Sequence, residues 1–169
     1  MAQPRSPREV FLTLVNGIAA GNPDGLPELY AEQTDVVHPF DPLRGAPYRS
    51  RAEIRTGMER RRAAGPRPLR RVGNVTIHET TDPEVIVAEF EYQGTTEAGE
   101  PYALPAIFVM RVRDGEIVSS RDYHDHLASA RAAGRLGELF AALTGPDGAG
   151  KASGAGEADA AAAAGGARS

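Results

Sequence analysis

Near the C-terminal end of its ordered part the chain runs Ser120-Arg121-Asp122-Tyr123-His124-Asp125-His126, and half of its four histidines stand in this stretch. Carboxylates and imidazoles so close together suit general acid–base chemistry. An Asp takes a proton, and a His near its own pKa passes one on. Asp122 is the leading candidate for the base. His38, just before Pro39, is a second candidate, as a base or a hydrogen-bond donor. Asp125 is a third candidate. It reads equally as the N-cap of a following helix, where a carboxylate needs no catalytic role. His124 and His126 share one side of an extended strand, and with Asp122 a two-His-one-carboxylate metal site is conceivable. The strand is expected to end here, so the expectation is no metal and no cofactor.

These side chains need a scaffold. Arg113-Asp114-Gly115-Glu116 carries a two-residue hairpin signal between Tyr102–Arg113 and Glu116–Tyr123. An uninterrupted ladder from this turn pairs Val112 with Ile117 and continues in step. Asp122 and Ser120 then share a face with Ile107, Val109 and Val118, with His124 further along. Leu104, Phe108 and Met110 share the other face with Ile117, Ser119, Arg121 and Tyr123. Apolar surroundings would raise the pKa of Asp122 and make it a stronger base once ionised. Both faces are partly apolar, so one is expected to meet helices and the other a second subunit.

Two earlier strands are expected, Val72–Glu79 and Val85–Gly94, and a short one from Asp35 to Phe40. Ser6, Pro7 and Glu9 form a capping box for a helix with Val10, Phe11, Leu14, Val15 and Ile18 on one face, closed by Gly21. A short second helix is expected from Asn22-Pro23 through Tyr30. A third starts at Ser50, with Glu53 completing a second capping box, and closes at Gly65-Pro66. A last helix is expected from about Leu127 to Leu143. Leu14, Tyr92, Tyr102, Phe108, Ser120 and His124 are the candidate pocket lining.

The composition sets limits. A chain of 169 residues with 41% hydrophobic and 25% charged residues suits one globular domain. Residues 1–143 are assigned to it. Residues 144–169 are almost all Gly, Ala, Ser and small charged residues and are expected to be a disordered tail. A net charge of −4 gives no basic excess for nucleic acid and nothing for an anionic membrane. The clustered Arg60, Arg61, Arg62, Arg67, Arg70 and Arg71 read as a solvated face. Cysteine is absent, which removes disulfides and thiolate chemistry and fits the cytoplasm. Neither a phosphate loop nor a Gly-x-Ser-x-Gly or His-Glu-x-x-His motif is present.

Three segments carry a resemblance to a known family. They are Asn22-Pro23-Asp24-Gly25-Leu26-Pro27-Glu28-Leu29-Tyr30-Ala31, Ser50-Arg51-Ala52-Glu53-Ile54, and Asp114 to Val118 followed by Arg121 to Asp125. Together with the element order, they resemble the SnoaL-like branch of the nuclear transport factor 2 and ketosteroid isomerase-like superfamily. The resemblance implies a cone-shaped α+β fold, with three N-terminal helices packed on a curved antiparallel sheet around a deep apolar pocket. It implies a hydrophobic small-molecule ligand and a homodimer. Function stays open among polyketide cyclase or isomerase chemistry on a carbonyl compound, a limonene-epoxide-hydrolase-like hydrolase, and a non-catalytic binding protein. His38 stands where ketosteroid isomerases carry their base, which by resemblance places it across the pocket from Asp122. Their oxyanion donors fall at Leu14 and at Pro105 or Ala106, which cannot donate. Arg121, Asp122, Tyr123 and Asp125 match the epoxide-hydrolase run, which points to Asp122. That family's earlier Arg-x-Asp pair has no counterpart in Val87–Glu91. The cyclases use one aspartate here, matched by Asp122 or Asp125.

Overall fold

The computed structural model describes residues 4–63 and 70–145. Six strands form one open sheet in the order β2-β1-β6-β5-β4-β3. They are β1 (Tyr30–Val37), β2 (Tyr48–Ser50), β3 (Arg70–Glu79), β4 (Val85–Thr95), β5 (Pro101–Arg113) and β6 (Glu116–His124). Four helices accompany them: α1 (Pro7–Ala19), α2 (Arg51–Ala63), α3 (His126–Ala132) and α4 (Leu136–Thr144).

Local chemistry explains α1. The Ser6 amide donates to Glu9 at 2.8 Å, and the Glu9 amide donates to the Ser6 hydroxyl at 3.3 Å. The expected capping box is therefore present. At the other end Gly21 takes φ +68°, and the Asn22 and Gly21 amides close on the carbonyls of Gly17 and Ile18. Only a residue without Cβ adopts this cheaply. The helix buries Val10, Phe11, Leu14 and Val15 on the sheet. Phe11, Phe90 and Phe108 meet edge to face, with ring centroids 5.0–6.1 Å apart. Pairs of this kind add to the value of the buried area.

Three expectations are corrected. The stretch after Asn22 is not a second helix. The Asn22 side chain accepts from the Asp24 amide in a local turn, and only Pro27–Leu29 makes a single 3₁₀ turn. With two prolines and a glycine in six residues it cannot sustain a helical ladder. Two N-terminal helices result instead of three. Tyr30 opens β1, so this strand starts and ends earlier than Asp35 to Phe40, and Phe40 is exposed. The last helix is split. Gly134 takes φ +66°, and the Arg135 and Gly134 amides close on Ala130 and Arg131. This is a C-terminal stop between α3 and α4.

The sheet is not wholly antiparallel either. Strand β1 runs parallel to β6, with Val36 beside Ser120 and Val37 beside Arg121. The expected hairpin forms, with Asp114 and Gly115 both at positive φ, as a tight two-residue turn needs. The ladder then slips by one. Val112 pairs with Ile117 but Arg111 pairs with Ser119, so Val118 is bulged out. Every later residue of β6 changes face. Asp122 lies opposite Phe108 and Ser120 opposite Met110 on the helix-covered side, away from Ile107 and Val109. The closure of the third helix at Gly65-Pro66, and the tail from residue 146 onward, lie outside the described residues.

Candidate active site

The parallel β1/β6 pairing fixes the centre of the site. Val37 stands beside Arg121, so the next step of each chain puts His38 beside Asp122. The inner face of β6 then lines up Ser120, Asp122 and His124 along one side.

Asp122 is 6% exposed. One carboxylate oxygen accepts a hydrogen bond from the Ser120 hydroxyl. The other lies 3.9 Å from His38 Nε2, too far for a hydrogen bond. Burial pushes the Asp122 carboxyl up from the usual 3.8 to about 7. The Ser120 hydroxyl and the charges of Arg61 and Arg121 pull against that rise. Burial also drives His38 down to about 4, helped by Arg61 and His126 and opposed by Asp41. His38 is therefore neutral at pH 7, so its contact with Asp122 is not an ion pair.

His124 stacks on His38, with centroids 5.7 Å apart and planes at 22°. Burial lowers it to about 3, with His38 and His126 contributing. His126 lies roughly perpendicular to both rings, and its Nε2 is buried without a partner among the described residues. Tyr92 is also buried, and its hydroxyl has no partner among them either. Burial raises its pKa, so the hydroxyl keeps its proton. Both residues line one cavity of about 750 Å³, which also takes in His38, Asp122, His124, Phe108 and the apolar Ile18, Val36 and Leu104. That volume suits a small organic ligand.

His38, Asp122 and His124 each offer one donor atom, all within 4.8 Å of one another. These are the described residues that could hold a divalent metal, with His38 in the place the sequence pattern gives to His126. A tetrahedral site with bonds of ~2.1 Å would need donors roughly 3.4 Å apart, so the trio would have to close in.

The other expected lining residues divide. Tyr92, Phe108 and His124 face the cavity. Ser120 stands behind Asp122 and holds its carboxylate. Leu14 is not among the cavity residues and is packed in the core at 1% exposure. Tyr102 is half-buried against Gly94, also away from the cavity. Asp125 lies at the rim, but its carboxylate accepts from the Ala128 amide at 2.8 Å and caps α3. Sequence reasoning missed Tyr30, Tyr48, Arg61 and Arg70 among the cavity residues, and named His126 as a conceivable metal ligand without placing it in the pocket lining.

The SnoaL-like domain pattern matches residues 11–120, well over half of the chain. The chain belongs to the SnoaL-like family. Among solved structures, this SnoaL-like fold is similar to that of a candidate isomerase from Bacillus subtilis. The identity is 24%, over 76% of this chain and 92% of that one, with a TM-score of 0.65. It is also similar to a Catenulispora acidiphila protein with a ketosteroid isomerase-like fold, solved with trimethylamine. That match has 23% identity, 77% and 95% coverage, and a TM-score of 0.57. A candidate polyketide cyclase from Pseudomonas putida KT2440 shares 17% identity over 76% and 98% of the two chains, with a TM-score of 0.58. At these identities the likeness is one of fold. A 60-residue stretch is 38% identical to the uncharacterised protein YesE of Bacillus subtilis strain 168, spanning 41% of that relative's length and 35% of this chain. No helix among the described residues is long and apolar enough to cross a membrane.

Proposed function

We propose that this SnoaL-like protein is a cofactor-independent acid–base enzyme acting on a hydrophobic carbonyl compound, of the polyketide cyclase or isomerase type. One observation carries the proposal. The Asp122 carboxyl is buried in the cavity wall, one oxygen held by Ser120 and the other facing the cavity, and that burial pushes its pKa up to about 7. A base with that pKa is well matched to neutral pH. Asp122 takes a proton from the carbon next to a substrate carbonyl. The C–H electron pair becomes the enolate double bond, and the carbonyl π pair moves to oxygen. The unpartnered Tyr92 hydroxyl, or the N–H of neutral His38, is available to donate to that oxygen. An isomerase returns the proton at another carbon. A cyclase lets the enolate carbon attack a second carbonyl.

The test is proton–deuterium exchange next to the carbonyl, followed by NMR over a panel of ketones. Asp122→Asn should lower the exchange rate about 10²- to 10⁴-fold with the fold intact. A loss of less than about tenfold would remove Asp122 from the role.

A binding protein without turnover is the second reading, favoured by the burial of Leu14 in the core where ketosteroid isomerases carry a donor. It calls for ligand affinity with no exchange. The epoxide-hydrolase reading has less support. Glu89, in the stretch that would carry the missing arginine pair, is bound to His78 at 2.8 Å on the exposed side. The homodimer belongs to the same proposal. The outer sheet face exposes Ile107, and light scattering should give twice the chain mass.

A further inference from the structure

The rim of the cavity is basic. Arg60, Arg61 and Arg62 from the last turns of α2 and Arg70 from the start of β3 all line it. Most of the other arginines are engaged. Arg49 and Arg121 meet Asp35, Arg51 meets Glu116, Arg55 meets Glu28, Arg111 and Arg113 meet Glu84, and Arg135 meets Glu138. Arg62 is 3.5 Å from Asp24. Arg60, Arg61 and Arg70 have no carboxylate within 4 Å among the described residues.

Two of these are placed for work. Arg61 donates its Nε to the Gly57 carbonyl at 3.3 Å, which anchors the stem of the guanidinium and leaves its terminal nitrogens without a protein acceptor among the described residues. Arg70 lays its guanidinium on the Tyr92 ring, 3.9 Å from the centroid. That contact orients the planar fork beside a hydroxyl that is itself buried and unpartnered. The acids on the cavity wall are already committed. Asp41 accepts from the Leu43 and Gly45 amides, Asp125 caps α3, and Asp122 is held by Ser120. The Arg61 charge reaches the centre of the cavity, where it opposes protonation of both Asp122 and His38. Two guanidinium groups without a carboxylate partner among the described residues and one orphan hydroxyl lining the same cavity are a receptor for an oxyanion.

We propose that the substrate is an anionic carbonyl compound, its carboxylate held by Arg61 and Arg70 at the rim and its reacting carbon at Asp122. The inference rests on the acid–base reading for the second half of that statement and on the arginines alone for the first. A carboxylate paired with the fork of Arg70 orients the ligand in a way that a neutral polyketide would lack.

The test uses the full chain, isothermal titration calorimetry and two probes, 4-oxo-4-phenylbutanoate and its methyl ester. Wild type should bind the acid about tenfold or more tightly than the ester. Arg61→Ala and Arg70→Ala should each weaken the acid about tenfold and leave the ester within about twofold. Ester affinity then reports that the fold is intact. Asp122→Asn should keep the preference for the acid and lose deuterium exchange next to the ketone. That separates the two ideas: exchange without acid preference removes the anion receptor and leaves the base, and acid preference without exchange does the reverse. Equal affinity for the two probes, equal weakening of both by the arginine variants, or no binding of the acid would overturn the proposal.

Discussion

Asp122, His38 and His124 have pKa values displaced in ways that set opposing pH dependences. A carboxyl raised from 3.8 to about 7 favours the fold below its unfolded value, and that contribution is lost as the pH climbs through 7. Asp122→Asn has no such loss. Its thermal midpoint should match wild type below about pH 4 and exceed it by a few degrees above pH 7, read by circular dichroism at a series of pH values. The histidines act the other way. His38 and His124 are depressed to about 4 and about 3, so the unfolded chain takes up protons first as the pH falls below 6.5, and stability drops. His38→Ala should flatten that acid limb. Exchange activity should rise with pH through a single step near 7, since His38 is neutral well below it. Protein stripped with EDTA should keep its full rate. A rate lost on stripping and restored by Zn²⁺ would make Asp122 a ligand instead of a base.

Elements decide which way these residues face. The Val118 bulge turns Asp122 inward. Deleting Val118 leaves Arg111 opposite Ser119 and Phe108 opposite Asp122, so folding and exchange should survive with a modest drop in midpoint. Inserting one Ala after Val118 should push Asp122 and Ser120 toward the outer face and abolish both. At the next junction, Asp125→Ala should cost about 1 kcal/mol, read by urea titration, and leave exchange nearly unchanged, because the carboxylate caps α3. The caps at Ser6 and Gly21 and the Asp114-Gly115 turn were legible in the sequence, because each depends on residues within five positions. At Ser50 the hydroxyl accepts from the Glu53 amide as a capping box needs, but the Glu53 carboxylate accepts from the Arg49 amide instead of that of Ser50. The bulge was not legible. It has no glycine and no local marker, and it is stabilised by the inner-face packing of Ile117, Met110 and Phe108. The 3₁₀ turn before Tyr30 was misread for a related reason. Its apolar Leu26 and Leu29 are buried in the same core by a turn where a helix was expected.

At the scale of the whole molecule, Asp122 and His38 were legible as a pair only through a family resemblance. No local pattern states that β1 runs parallel to β6. The arginines at the rim show the same limit. Arg60 to Arg62 look like a solvated helix end until the sheet brings Arg70 across from them. The outer sheet face tests the dimer. Ile107→Lys should shift the mass measured by light scattering to one chain and leave the monomer folded, because Ile107 is 42% exposed.

The parallel seam between β1 and β6 also has a bearing on how the chain reaches its final state. His38 and Asp122 are 84 positions apart (122 minus 38), and nothing but the insertion of β6 between β1 and β5 brings them together. Closing so long a loop is slow compared with the local hairpins of β3, β4 and β5. The buried proton of Asp122 should therefore be gained in the last kinetic phase. Stopped-flow refolding in a weakly buffered pH indicator would register its uptake together with the final rise of ellipticity, and the same carboxyl would serve as a clock for the completion of the sheet around it.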